Sequence, residues 1–223
     1  MRMIVVRPAP GDARTLARLA ARGVDAESIP LFAVRPIAWT PPDPRDFDAL
    51  LLTSANALRH GGTGLDALRQ LPVVAVGATT AAAARAAGFA VALTGDGDAA
   101  DVRARAEAAG LWRLLHIAGR DRLAAGTATI TVYASDALSV PIGTAARFAG
   151  ATVLLHSARA AAAVAVLVDR DRTDRAAVRL AAFSPTVAVA AGHGWQAISI
   201  AAAPTDAALI EAAIDQRPPR ADK

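Results

Sequence analysis

The stretch Val73–Gly88 reads VVAVGATTAAAARAAG, and its order of elements decides the fold. A short apolar strand runs into a turn of small polar residues, and an alanine-rich helix follows. Four other segments repeat this order with variations: DALLLTSANAL (Asp48–Leu58), LLHIAGRDR (Leu114–Arg122), TVLLHSARAAAAV (Thr152–Val164) and VRLAAFSPTVAVAAG (Val178–Gly192). Open parallel sheets bind ligands at the carboxyl ends of their strands, where helices begin with free backbone N–H groups. Several such turns aimed at one cleft would form a receptor for a molecule with several negative charges.

Composition indicates a globular protein without a membrane segment. The 223 residues are 54% hydrophobic and 20% charged, which provides enough apolar surface for one large or two small cores. No apolar run is long enough to cross a bilayer, and Met1–Val6 leads directly into Arg7-Pro8 without the features of a signal peptide. We therefore expect a cytoplasmic protein that does not bind membranes.

Cysteine and charge usage exclude several classes of protein. The absence of cysteine excludes disulfides, thiolate metal sites and cysteine nucleophiles. The net charge is +4, but basic residues alternate with acidic ones, as in Arg120-Asp121-Arg122, so nucleic acid is not an expected partner. Lys223 is the only lysine. This preference for arginine fits either a GC-rich genome or bidentate pairing with the carboxylates of an anionic substrate.

The order of elements predicts two α/β domains. The segment TPPDPRD (Thr40–Asp46) can neither continue a helix nor lie inside a sheet, and it predicts an exit from one domain into another. From Phe47 to about Ile130, apolar strands alternate with helices, as in parallel sheets covered on both faces. The β-branched segment Thr127–Ala134 predicts an extended connector that returns to the first domain. The predicted domains are a discontinuous one of residues 1–34 plus 137–223 and an inserted one of residues 38–130, with connectors at 35–37 and 131–136.

Hydrophobic runs and turn residues also predict the individual elements. The predicted strands are Ile4–Arg7, Ala49–Leu52, Val73–Val76, Leu114–Ala118, Thr152–His156, Val178–Phe183 and Ala197–Ala201. The predicted helices include Gly11–Arg22, Ala99–Ala109, Pro141–Ala149, Ala158–Asp169, Thr186–Ala191 and Asp206–Asp215.

No established motif for a metal, a nucleotide or a catalytic serine occurs. The histidines His60, His116, His156 and His193 lack metal-binding spacing, and two of them lie in apolar strands, which is typical of core histidines. Gly95-Asp96-Gly97 is an isolated Gly-x-Gly followed by acidic residues that would repel a pyrophosphate. The Gly-x-Ser-x-Gly motif of serine hydrolases does not occur either. We therefore expect no metal.

Two kinds of hydroxyl remain as candidates for function. Ser54, Ser157 and Ser184 each follow a strand, where a serine can cap the next helix or help to bind an anion at its N-terminus. Tyr133 is the only tyrosine, and it lies in the returning connector, which would border a cleft between the domains. A phenol can donate a hydrogen bond while it is neutral at pH 7. The alternative is a tyrosine that only packs against the connector.

Several short motifs occur in a specific order and spacing along the chain. They are Val6-Arg7-Pro8, Leu52-Thr53-Ser54-Ala55-Asn56-Ala57, Ala75-Val76-Gly77-Ala78-Thr79-Thr80-Ala81, Gly119-Arg120-Asp121, Val132-Tyr133, His156-Ser157-Ala158-Arg159 and Ser184-Pro185-Thr186-Val187-Ala188. By these motifs the chain resembles the uroporphyrinogen-III synthase family over almost its whole length. The resemblance implies two flavodoxin-like parallel-sheet α/β domains, joined by a two-stranded connector, with the active cleft between them.

The resemblance also implies an activity. Members of the family are lyases of tetrapyrrole and heme biosynthesis. Their substrate hydroxymethylbilane, a linear tetrapyrrole with eight carboxylates, loses water and closes to uroporphyrinogen III with its ring D inverted. No cofactor is implied, and we expect a monomer.

The roles of individual residues follow from the same resemblance. Tyr133 matches the candidate acid that assists departure of the hydroxyl group. Because the bilane cyclises unaided to the wrong isomer, the main task of the enzyme is to hold the substrate in one geometry. The residues expected to bind substrate are Arg7, Thr53, Ser54, Asn56, Gly77, Thr79, Thr80, Gly119, Arg120, Ser157, Ser184 and Thr186.

Two other functions fit parts of the pattern. A small-anion binding protein of the periplasmic-receptor type shares the paired α/β architecture but would need an export signal. A nucleotide-binding response or oxidoreductase module would need a phosphate loop and an acid for the ribose, and the sequence has neither.

Overall fold

Short apolar strands build two separate sheets, and the chain divides into two units around them. Unit 1 comprises Met1–Ala33 and Ala137–Lys223, and unit 2 comprises Val34–Asp136. The structure is a computed structural model that describes residues 2–96, 98–122 and 126–216.

The described residues form strands and helices that alternate along most of the chain. The strands are β1 (Arg2–Val5), β2 (Asp25–Ser28), β3 (Phe32–Pro36), β4 (Ala49–Leu52), β5 (Val73–Ala75), β6 (Val91–Thr94), β7 (Leu114–Gly119), β8 (Ala128–Ala137), β9 (Ala151–Leu155), β10 (Arg179–Ala182) and β11 (Ala197–Ile200). The helices are α1 (Gly11–Ala20), α2 (Asn56–His60), α3 (Ala78–Ala86), α4 (Ala99–Ala108), α5 (Ala158–Arg170), α6 (Pro185–Ala191) and α7 (Asp206–Ile214). Short 3-10 helices span Pro44–Asp46, Gly62–Leu68, Thr144–Phe148 and Arg175–Ala177.

Unit 1 contains a five-stranded sheet in the order β11-β10-β9-β1-β2, and all its strand pairs are parallel. Numbered within the unit, this order is 2-1-3-4-5, which is the flavodoxin-like arrangement. Alternate residues of β1 pack on opposite faces because side chains alternate along a strand. Met3 and Val5 share a core with α1 and α7, whereas Ile4 shares a core with α5 and α6.

Unit 2 contains a six-stranded sheet in the order β3-β8-β7-β4-β5-β6. From β8 to β6 the strand pairs are parallel, with the doubly wound order 3-2-1-4-5 read from β6. Leu50 and Leu52 share a core with α2 and α3, and Ala49 and Leu51 share a core with α4. The mixed α/β architecture with parallel sheets is as predicted.

The segments predicted as connectors lie largely in two strands. Residues 35–36 belong to β3 and residues 131–136 to β8, which are hydrogen-bonded neighbours. The Leu138 N–H donates to the Leu31 carbonyl, and the Ile37 N–H donates to the Val132 carbonyl. Because residue numbers fall on one strand as they rise on the other, β3 and β8 run antiparallel.

One element prediction is corrected by the structure, and another is given bounds. Pro141–Ala149 is not an α-helix, since only Thr144–Phe148 forms a 3-10 helix there. The preceding Gly143 has a φ of +86°, a left-handed conformation that interrupts an α-helix. The alternation of strands and helices predicts a strand before Ala99 without giving its bounds, and β6 lies there. It is at the sheet edge and only partly buried, so it lacks a continuous apolar run.

The strand order reverses once in each sheet, at a point known as the topological switch point. In unit 1 it lies between β1 and β9, and in unit 2 between β4 and β7. Ligands of open α/β sheets bind outside the carboxyl ends of the strands at such points.

None of the helices in the described residues has the length and apolar character that crossing a membrane requires.

Candidate functional site

The side chain of Tyr133 lies at the carboxyl end of β7, beside the switch point of unit 2. A Cβ placed on Gly119 would lie 2.6 Å from Cε2, 2.7 Å from Cζ and 2.9 Å from the hydroxyl oxygen of Tyr133. The ring centroid of His60, at the end of α2, is 6.1 Å from that of Tyr133. The glycine therefore makes room for the phenol at this edge of the sheet.

An irregularity in the strand pairing directs Tyr133 to this place. Ala118 of β7 pairs with Thr131 of β8, but the next residue, Gly119, pairs with Tyr133 rather than Val132. Val132 is fully buried in the core of unit 2. The register shift thus brings a half-buried phenol, instead of a core side chain, opposite the last residue of β7.

The hydroxyl of Thr53 contacts a buried histidine. Thr53 follows β4 and is exposed, and its Oγ1 atom lies 3.1 Å from Nε2 of His116 on β7. The parallel pairing of Leu51 with His116 places these two residues at the same end of neighbouring strands. Burial, together with the positive charge of Arg122, lowers the pKa of His116 to about 4, so the imidazole is neutral at pH 7.

We predict that His116 makes unit 2 sensitive to mild acid. Its pKa falls from 6.5 to about 4 on folding, so the folded state resists protonation. The stability that depends on neutral His116 is complete above pH 6.5 and is lost as the pH falls towards 4. The loss amounts to about 3 kcal/mol, at 1.36 kcal/mol per pKa unit. Urea unfolding at pH 7 and pH 4 should show a smaller loss for His116→Gln than for the wild type.

The exposed His193 gives a matched control, because His193→Gln removes an imidazole that is not buried. The lowered pKa values of His60 and His156 add to the acid sensitivity of both variants alike. An equal loss of stability in wild type and His116→Gln would contradict the prediction.

The N-terminus of α3, like that of α2, has no side-chain cap, in contrast to that of α4. Gly77 is its N-cap residue and makes no side-chain hydrogen bond, whereas Asp98 accepts a backbone N–H at the start of α4. The backbone of Gly77 is extended, with a φ of −157°, and a Cβ there would meet no atom within 4 Å. Neither the backbone conformation nor the available space requires a glycine at position 77. Thr79 is exposed in the first turn of this helix, and Thr80 is buried.

Other predicted binding residues of unit 2 make contacts within the protein. The Asn56 N–H donates to Oγ of Ser54 over 3.2 Å, and Oδ1 of Asn56 accepts from Arg59 over 2.9 Å. The guanidinium of Arg120 pairs with Asp136 and Asp121. These groups therefore already have partners at the edge of the sheet.

A buried carboxylate organises the corresponding edge of unit 1. Asp206, the first residue of α7, has a side chain that is 10% exposed. Its Oδ1 atom lies 2.8 Å from Nε2 of His156, 2.8 Å from Oγ1 of Thr15 and 3.4 Å from Nη1 of Arg7. Its Oδ2 atom accepts from Arg18. We call these five residues the Asp206 cluster.

Charge and hydrogen bonds set the protonation of this cluster. Burial by itself would raise the pKa of Asp206, but hydrogen bonds from His156, Arg18 and Thr15 outweigh burial and hold that pKa well below its usual range. Burial lowers the pKa of His156, against the opposing effect of Asp206. Asp206 is therefore ionised at neutral pH. Arg7, predicted to bind substrate, is in contact with this internal carboxylate.

The remaining predicted residues of unit 1 lie at helix starts. Oγ of Ser157 accepts from the Ala160 N–H over 3.2 Å at the start of α5, and Oγ of Ser184 accepts from the Val187 N–H over 3.4 Å at the start of α6. Thr186 is exposed in the first turn of α6. Both serines thus cap helices, which is one of the two roles that the sequence left open.

Sequence reasoning missed His60 and Asp206. His60 has no motif around it, and its place beside Tyr133 follows only from the folded position of α2. Asp206 follows Thr205, whose hydroxyl caps α7, so the sequence indicated only a helix start. In the described ranges, 2–96, 98–122 and 126–216, no group of three or more His, Asp or Glu side chains could hold a metal ion.

Comparisons with known proteins point to one family. A family model described as uroporphyrinogen-III synthase HemD matches residues 13–211. No curated protein matches the sequence. Among solved structures, uroporphyrinogen-III synthetase from Helicobacter pylori is 17% identical with a TM-score of 0.66, and the match covers 97% of this chain and 100% of that one. A mutant uroporphyrinogen III synthase from Thermus thermophilus is 15% identical with a TM-score of 0.53, at the same coverage of both chains. At these identities the structures show a shared fold.

Proposed function

We propose, from the premise that this chain belongs to the uroporphyrinogen-III synthase family, that it cyclises hydroxymethylbilane to uroporphyrinogen III with inversion of ring D and loss of water. The family model covers most of the chain, and enzymes of this family are lyases of porphyrin and heme biosynthesis. The observation in the structure that best supports the proposal is the phenol of Tyr133 beside the switch point of unit 2. We further propose a cytoplasmic monomer that binds no nucleic acid.

The proposed chemistry requires one proton donor. The hydroxyl group of the bilane takes the phenolic proton of Tyr133 and leaves as water, while the electron pair of the adjacent pyrrole replaces the broken C–O bond. The substituted carbon of ring D then attacks the methylene carbon that carried the hydroxyl group and forms a spiro intermediate. The bond from that ring-D carbon to the bridge of ring C breaks, and the bridge bonds instead to the unsubstituted α-carbon of ring D, which inverts the ring. Loss of the proton from this α-carbon completes the pyrrole and restores the phenol. The electron-rich pyrroles supply the driving force, so no protein nucleophile is needed.

The proposed binding site consists of donors at strand ends. Backbone N–H groups and hydroxyls can hold carboxylates in fixed positions without long flexible side chains. In unit 2 the exposed Thr53 and Thr79 and the uncapped start of α3 support this proposal. Arg7 and Arg120 belong to it as well, although each also contacts a carboxylate of the protein. That these donors line one active cleft remains a prediction.

A coupled isomer assay tests the proposed function. The purified chain is incubated with freshly generated hydroxymethylbilane, and the products are oxidised and separated as uroporphyrins I and III. We expect mainly isomer III, formed faster than the spontaneous cyclisation. Formation of isomer I alone, at the spontaneous rate, would overturn the proposal. If the chain also binds the bilane in that case, the result would favour the anion-binding alternative.

We predict that Gly77→Asp weakens substrate binding without weakening the fold. An aspartate at the N-cap of α3 would accept the free N–H groups and place a negative charge where a substrate carboxylate is proposed to bind. KM for the bilane should rise roughly 10-fold, which corresponds to about 1.4 kcal/mol. The melting temperature should stay the same or rise, because a capping side chain stabilises a helix.

Ala86→Asp is the matched control, since it adds the same charge at the exposed far end of the same helix. Its KM should stay near that of the wild type. A Gly77→Asp variant with an unchanged KM would show that α3 does not hold a carboxylate of the substrate.

A further inference from the structure

The contact between His116 and Thr53 links a buried group to an exposed one. The imidazole of His116 is 1% exposed, and its Nε2 atom is 3.1 Å from Oγ1 of Thr53, at the open end of β4. A hydrogen bond at this distance has two arrangements. Either the imidazole donates to the hydroxyl oxygen, or the hydroxyl donates to the imidazole nitrogen.

The position of the imidazole proton decides between these arrangements. His116 is neutral at pH 7, so only one of its two ring nitrogens carries a proton. Its Nδ1 atom is buried and has no hydrogen-bond partner among the described residues. A buried N–H without an acceptor is rare in folded proteins, whereas a buried acceptor without a donor is better tolerated. The proton therefore belongs on Nε2, which donates to Thr53.

This arrangement fixes what Thr53 can offer to a ligand. Its oxygen accepts the hydrogen bond from His116, so its own O–H proton is directed away from the imidazole. Thr53 is exposed, and a carboxylate can only accept hydrogen bonds. In the opposite arrangement the Thr53 hydroxyl would donate its hydrogen bond to Nε2 of His116, and no donor would remain for a carboxylate.

We infer that His116 is a positioning residue, which turns the Thr53 hydroxyl into a hydrogen-bond donor for one carboxylate of the substrate. The inference rests on the proposed function, because it takes the bilane as the carboxylate-bearing ligand. His116 itself does not touch the substrate. It acts by occupying the acceptor side of the hydroxyl, and its burial keeps water from taking its place.

The first test is a double-mutant cycle on the full chain with hydroxymethylbilane as the substrate. His116→Leu and Thr53→Val should each raise KM roughly 5- to 10-fold and change kcat less than 3-fold. The double variant should have the KM of Thr53→Val alone, since both changes remove the same donor. His116→Gln, whose amide N–H can replace Nε2–H, should recover most of the wild-type KM. Independent, multiplying effects on KM would overturn the inference.

The second test reads the proton directly and does not depend on activity. The ¹⁵N signals of the histidine side chains distinguish Nε2–H from Nδ1–H, and the His116 signals are assigned by their loss in His116→Gln. We expect the Nε2–H form at pH 7, and the Nδ1–H form would overturn the inference even if His116→Leu fails to fold. A wild type that forms no isomer III would instead overturn the proposed function. If the wild type forms isomer III but His116→Leu and Thr53→Val raise KM independently of each other, only the role of His116 is overturned.

Discussion

Tyr133→Phe is expected to lower kcat by roughly 10- to 10³-fold, the usual contribution of a positioned general acid. The substitution removes the phenolic oxygen and leaves the ring, which packs against the core of unit 2 and fills the space above Gly119. KM should change less than kcat, because the proposed carboxylate contacts are spread over many donors. The residual product should remain mostly isomer III, since the orientation of ring D depends on binding. The measurements are kcat, KM and the isomer ratio.

Gly119→Ala provides the companion variant, because it keeps the phenol but displaces it. The new Cβ would lie under 3.0 Å from three atoms of the Tyr133 side chain, so the ring must move. Since Tyr133 is the only tyrosine, its ring NMR signals report that movement without assignment. We expect both variants to lose kcat. Full activity of Tyr133→Phe would exclude the acid role, and loss of isomer selectivity at a normal rate would mean that Tyr133 orients the ring.

Asp206→Ala is expected to destabilise unit 1 by about 2 to 4 kcal/mol, close to the usual effect of breaking a buried ion pair. The variant leaves the largely buried Arg7 and His156 without their common partner. The contact with Arg18 contributes less, since that side chain is 55% exposed. Urea unfolding followed by hydrogen exchange should place the loss in the peptides of unit 1.

Glu211→Ala is the matched control on the same helix. Glu211 pairs with Arg22 at the surface, where such pairs contribute at most about 1 kcal/mol. The contribution of Asp206 to the free energy of unfolding should also depend on pH. Its pKa is lowered by folding, so its stabilisation is present above the ordinary value of 3.8 and is lost as the pH falls below it. An Asp206→Ala variant no less stable than Glu211→Ala would contradict the proposed role of the cluster.

The central strands could be predicted from sequence because a parallel strand covered on both faces is apolar throughout. Ala49–Leu52 is predicted with the same bounds as β4, whose four residues are all buried. Edge elements lack this signal. The four residues of β6 are intermediate or exposed, and the 3-10 helix at Thr144–Phe148 follows a left-handed glycine that an apolar pattern does not reveal.

Residues of the candidate site could be predicted only where adjacent residues in the sequence determine their position in the fold. The turns after β4 and β7 place Thr53 and Gly119 at the carboxyl edge of the sheet in any parallel arrangement. Contacts between distant segments require the strand order. Arg7 and Asp206 are 199 positions apart, and Thr53 and His116 are 63 apart, so no local pattern could pair them.

The interrupted sheet of unit 1 has a consequence for synthesis on the ribosome. Strand β1 pairs with β2, made shortly after it, and with β9, which is made only after all of unit 2. Unit 2 is one continuous segment and can fold as soon as it emerges, since domains fold as units during translation. Until β9 has been synthesised, the apolar strand β1 lacks its second pairing partner. A chaperone that shields Arg2–Val5 during that interval would protect the nascent chain from aggregation.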